Sequence, residues 1–189
     1  MWLLFGRVSV FTVVVASSIV IAFATGFWLT SVSGMFYKSI TVPEIYSKTV
    51  TWVDSENEFR VYDGLKVYVW DASNYWEIYL TLINKGPGDL SVDDVYINGI
   101  PYHGHECLTR YHVLYRANGK FYVLPDRLVI SPGGKVVLKV LVPGPGFKAF
   151  TKHANVFYAG GGAAFSHGDV LTISLVSGGS TVAVVIILP

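Results

Sequence analysis

From Val8 to Tyr37 the chain carries thirty consecutive residues without an Asp, Glu, Lys, Arg or His, bounded by Arg7 and Lys38. As an α-helix rising about 1.5 Å per residue, that run would be about 45 Å long, against the roughly 30 Å of a bilayer core. It can span a membrane. A simple anchor needs only about twenty residues, and tilt can absorb an excess, so length alone leaves anchoring and helix packing both open. Residues 7–37 are therefore read as an assembly or transmembrane helix. Along it Val8, Phe11, Val15, Ile19, Phe23, Phe27 and Trp28 supply bulk, while Ala16, Ala22 and Gly26 are small. Small residues let helices approach closely where water supplies no driving force. Gly34-Met35-Phe36 are expected to loosen this helix, and Pro43 to stop it.

Beyond residue 38 the hydrophobic period changes to two, which predicts strands. Leu65–Trp70 and Trp76–Ile83 flank Asp71-Ala72-Ser73-Asn74, read as a hairpin turn. Lys85-Gly86-Pro87-Gly88 breaks the chain, Asp94–Asn98 runs into the turn signal Asn98-Gly99, and Asn118-Gly119 predicts a second hairpin between Tyr111–Tyr115 and Lys120–Leu124. A strand over Lys135–Val142 is closed by Pro143-Gly144-Pro145-Gly146. Two final strands, Val170–Val176 and Thr181–Leu188, meet across Gly178-Gly179. The last is apolar on both faces, so both are expected to be covered, one by the head's own core and the other by the base of the long helix. The fold class expected is α+β, a long N-terminal hydrophobic helix followed by an antiparallel immunoglobulin-like β-sandwich head over 38–189.

The fourteen basic and thirteen acidic residues all follow Tyr37 except Arg7, which leaves the head formally neutral. Such a surface does not attract nucleic acid. Cys107 is the only cysteine, so no intramolecular disulfide forms. No Asn-x-Ser/Thr sequon is present.

His103-Gly-His105-Glu-Cys107 is the strongest constellation for a metal, because alternate residues of a strand share a face and two imidazoles plus a thiolate suit Zn or Cu. Only three ligands are local, however. A copper site of blue type also wants a methionine, and the only ones are Met1 and Met35. A loop with exposed histidines and a half-buried thiol is the preferred reading, with no cofactor expected. Asp93-Asp94 and the pair Asp54 and Glu56 are read as loop solvation rather than acid/base or calcium groups. Gly160-Gly161-Gly162 lacks the Lys-Ser/Thr of a phosphate loop, and no nucleophile elbow occurs, so no enzyme activity is expected. The aromatics around Trp70, Tyr75 and Trp76 are candidates for an adhesive or subunit-contact patch.

The segment Gly6-Arg7-Val8-Ser9, followed by the apolar run with Phe27-Trp28-Leu29-Thr30, resembles the N-terminus of archaeal type IV pilins, filament subunits related to archaellins. Gly88–Gly99, ending Tyr-Ile-Asn-Gly, resembles a strand and turn of that family, and Gly168–Pro189 its closing hairpin. The resemblance implies a precursor held in the membrane, cut by a prepilin peptidase between Gly6 and Arg7, with 1–6 as a short leader. It further implies assembly machinery and a homo-oligomeric extracellular filament with the helices at its centre. Such precursors usually carry Lys or Arg before the small residue, where this chain has Phe5. The alternative, from a different class, is a monomeric, membrane-anchored extracellular module that binds a solute or copper.

Overall fold

A computed structural model describes residues 2–39, 43–102, 110–151, 157–159 and 164–189. The chain is α+β, one N-terminal apolar helix followed by a mostly β domain, and it divides into two compact units at Ile40/Thr41. Helix α1 runs unbroken over Trp2–Ser39, 38 residues, and so continues through Gly34-Met35-Phe36 rather than loosening there.

The β domain comprises β1 (Glu44–Val53), β2 (Asn57–Asp63), β3 (Lys66–Ile83), β4 (Leu90–Val92), β5 (Asp94–Ile97), β6 (Ile100–Pro101), β7 (Val113–Ala117), β8 (Lys120–Val123), β9 (Leu128–Ile130), β10 (Lys135–Thr151), β11 (Phe157–Ala159), β12 (Val170–Ser177) and β13 (Ser180–Ile187). Seven strands form one sheet in the order β1-β3-β2-β8-β7-β10-β11, and β10 also pairs with β3. That extra pairing closes β3, β2, β8, β7 and β10 into a five-stranded barrel. A second sheet has the order β13-β12-β5-β6, and β4 pairs with β9. An open two-sheet sandwich does not describe this arrangement, because the larger sheet curls onto itself.

Two long strands make the closure possible. β3 pairs with β1 and β10 through its second half and with β2 and β10 through its first. Asp71–Asn74 is therefore no hairpin turn but the middle of one strand, and Asn74 stands there with φ 58°. A residue in that left-handed conformation adds a bulge and shifts the alternation by one. Trp70 and Ala72 face the barrel interior before it, and Tyr75 does after it. β10 bends at the same level, where its pairing with β3 skips from Pro143 to Lys148. Pro143–Gly146 thus kinks the strand instead of closing it. A Cβ at Gly144 would run into the Trp52 ring, Gly146 has φ 74°, and the Asn74 amide donates to the Gly146 carbonyl at 3.0 Å.

The bulges leave two cores. The first lies between the large sheet and the smaller ones, with Trp76, Ile78, Leu80 and Leu82 from β3 and Leu138, Val140 and Val142 from β10 meeting Val95, Ile97, Leu171, Ile173 and Leu175. The second fills the barrel with Val61, Trp70, Ala72, Tyr75, Leu114, Val123, Leu141 and Ala149. Buried Asn84 ties the Lys85–Gly88 turn to β9, donating 2.8 Å bonds to the Gly88 and Ile130 carbonyls and accepting one from the Gly86 amide. In β13, Ile186 is buried in the core of the β domain, while Val185 and Ile187 are exposed within that domain.

Candidate functional site

Helix α1 is the first candidate surface. Apolar residues spread evenly around it, with no polar stripe to face water. Thr12–Val32 is long and apolar enough to cross a membrane. Within the helical unit every side chain from Thr12 to Ser31 is exposed, including Val15, Ala16, Ile19, Ala22, Phe23 and Phe27. Trp28 is 63% exposed and Phe23 77%. A Cβ placed at Gly26 would meet nothing, so its surface is open to close approach. Four hydroxyls along the rod turn inward onto the helix's own backbone. Ser17 and Ser18 donate to the Val14 carbonyl at 2.9 and 2.8 Å, Thr25 to Ile21 at 2.7 Å, and Thr30 to Gly26. Back-bonding of this kind removes the cost of placing a hydroxyl in an apolar medium. Gly6, Arg7, Val8 and Phe11 all lie on the same continuous helix.

The second candidate is an ion pair inside the barrel that the sequence reading passed over. Lys139 Nζ stands 2.6 Å from Glu77 Oε1, with the two side chains 5% and 11% exposed. The Glu77 carboxylate also accepts from the Tyr75 hydroxyl at 3.2 Å and the Tyr79 hydroxyl at 2.7 Å. Asn57 donates to Tyr75 in turn, at 3.3 Å. Around the ammonium, the Phe59, Tyr79 and Phe121 rings lie 5.3, 5.4 and 5.1 Å from Nζ, within cation–π range. The signal was present in the sequence. Both charges interrupt apolar runs, Trp76-Glu77-Ile78 and Leu138-Lys139-Val140, at positions where period-two alternation aims them at the same side of neighbouring strands. A carboxylate bonded by two tyrosines and an ammonium walled by three rings suit a structural role.

Burial, reinforced by the Glu77 charge and its hydrogen bond, pushes the Tyr75 and Tyr79 hydroxyls well above their ordinary value of 10.0. The folded form therefore keeps these protons when the unfolded chain has begun to lose them. The contribution of these two groups to stability is fully present below pH 10.0 and is lost as pH rises above it. Urea midpoints measured upward from about pH 9 are expected to decline in the wild type and to decline less steeply in Tyr79→Phe. An identical slope in both would detach Tyr79 from the effect.

The remaining sequence candidates resolve as follows. His103, His105 and Cys107 lie outside the described residues, as do Gly160-Gly161-Gly162. Among the described residues no group of three or more His, Cys, Asp or Glu is placed to hold a metal. Asp93 accepts from the Gly178 amide at 2.8 Å and pairs with Arg127 at 3.6 Å, and Asp94 accepts from the Val95 amide. Asp93 thus fastens the turn between β12 and β13, and Asp94 holds the start of its own strand. Trp70, Tyr75 and Trp76 form no surface patch. They are 4%, 1% and 0% exposed, because the bulge at Asn74 turns Trp70 and Tyr75 into the barrel and Trp76 into the other core. No protein-family model matches the chain, and no curated protein matches it.

Proposed function

We propose that this chain is a structural, non-enzymatic subunit of an extracellular archaeal type IV filament that serves adhesion. Its helices pack together as the filament core, and its β domains, each built around a five-stranded barrel, make the lateral contacts. The observation that carries this reading is α1: 38 continuous residues, about 57 Å at 1.5 Å per residue, without a polar face and with every hydroxyl bond just described kept within the helix. A lone anchor uses about half that length, whereas a helical bundle buries all of it and gains from the small residues Ala16, Ala22 and Gly26. In this reading the precursor waits in the membrane and a prepilin peptidase cuts it after Gly6.

Electron microscopy of material sheared from the cell surface is expected to show fibres built of this chain, with subunits whose intact mass begins at Arg7. Finding only single chains that require detergent would favour a monomeric, membrane-anchored binding module instead.

A further inference from the structure

A row of three tyrosines crosses the outside of the barrel. β2 and β8 pair in parallel with Tyr62 opposite Tyr122, and β7 pairs with β8 with Tyr115 opposite Tyr122. The ring centroids are 5.3 and 5.6 Å apart, and the planes are tilted by 41° and 33°. Since Phe121 and Val123 on β8 pack with the barrel core, Tyr122 between them points outward. All three rings are half-buried, which holds them in place while leaving part of each accessible. They line a groove of about 850 Å³, walled by Tyr102, Leu124 and Pro125 and carrying Asp63 and Asp126.

We propose that this groove binds a neutral oligosaccharide. The size falls within the roughly 300–1,000 Å³ typical of small-ligand sites. A pyranose presents one face of C–H bonds and a rim of hydroxyls. The C–H face, slightly positive, packs on the electron-rich faces of the tyrosines, and the rim meets the phenolic hydroxyls and the Asp126 carboxylate. Successive rings spaced as Tyr62, Tyr122 and Tyr115 are offer a platform for more than one sugar. A purely apolar ligand would strand those polar groups without partners. The Lys120 ammonium already stands over the Tyr62 ring, 4.9 Å from its centroid, and takes the place a cationic ligand would seek there, while an anionic ligand would meet Asp63 and Asp126. An uncharged polyhydroxylated ligand, matched to the aromatic row and its phenolic rim, is the best fit.

The site does not depend on the filament reading, since it lies wholly within the β domain. The test uses full-length protein on an array of neutral gluco-, manno- and galacto-oligosaccharides, beside sialylated and sulfated glycans and a tetraalkylammonium resin. Retention is expected on neutral oligosaccharides, reduced about tenfold or more in Tyr122→Ala and Tyr62→Ala, and largely kept in Tyr122→Phe, which preserves the ring. Near-UV circular dichroism checks that each variant is folded, and Tyr62→Ala at the end of the row serves if Tyr122→Ala is not. No retention on any neutral glycan, retention unaffected by loss of either ring, or stronger retention on the charged probes would each overturn the proposal.

Discussion

Removing either member of the Glu77–Lys139 pair destabilises the β domain by about 3–5 kcal/mol, and removing both together costs far less than the sum. The reason is the asymmetry of buried charge. With Lys139→Met, the carboxylate keeps its bonds from Tyr75 and Tyr79 but loses the ammonium 2.6 Å away. With Glu77→Leu, the ammonium keeps three aromatic faces and loses its counter-charge. Each single change leaves an uncompensated ion among apolar side chains. The double change Glu77→Leu/Lys139→Met leaves none, and replacing a buried pair by apolar groups of similar volume is often neutral. Guanidinium titration of full-length protein in detergent, followed by tryptophan fluorescence, measures the double-mutant cycle. Single variants within about 0.5 kcal/mol of wild type, the range of ordinary surface changes, would mean that water reaches the pair.

If the chain assembles as proposed, Ala22→Lys is expected to abolish fibres while the substituted chain still accumulates. Ala22 is the midpoint of the apolar segment Thr12–Val32, and its side chain is exposed on the helix. An ammonium at a membrane-helix centre costs roughly 2.5–3.5 kcal/mol on insertion scales, little enough for some chains to insert. In a packed bundle the same charge recurs in every subunit, on a surface where the helices meet closely, with no water to solvate it. Immunoblotting of cells together with microscopy of the sheared fraction separates the two steps. Normal fibres from the Lys variant would remove α1 from the filament core and with it the proposed assembly.

What the sequence revealed depended on how local each signal was. Asn98-Gly99 and Asn118-Gly119 were read as turns and are turns, with φ of 50° and 81° at the first and 49° and 76° at the second. Left-handed backbone at adjacent residues is what such hairpins require. The same preference misled at Asn74, because a left-handed residue serves a bulge as well as it serves a turn, and only the partner strand decides which. Pro143–Gly146 was misread for the same reason. Barrel closure left no local trace at all. It rests on the parallel pairing of Val61 and Tyr62 with Phe121 and Tyr122, sixty residues apart in the chain. The apolar helix, by contrast, was legible from its composition alone, although the residues read as a weak point at Gly34–Phe36 proved helical. The aromatic reading failed at Trp70, Tyr75 and Trp76, since hydrophobicity does not say which face of a strand will be covered.

The paired kinks at Asn74 and Gly146 let β3 and β10 run through both cores without a break, joined along nearly their whole length. The barrel and the wall of the other core consequently share these two strands, and neither can be separated from the other without breaking them. Tension applied along these strands loads their hydrogen bonds in parallel, as a shear, instead of opening them one after another like a zip. A domain wired in this way yields all at once or not at all.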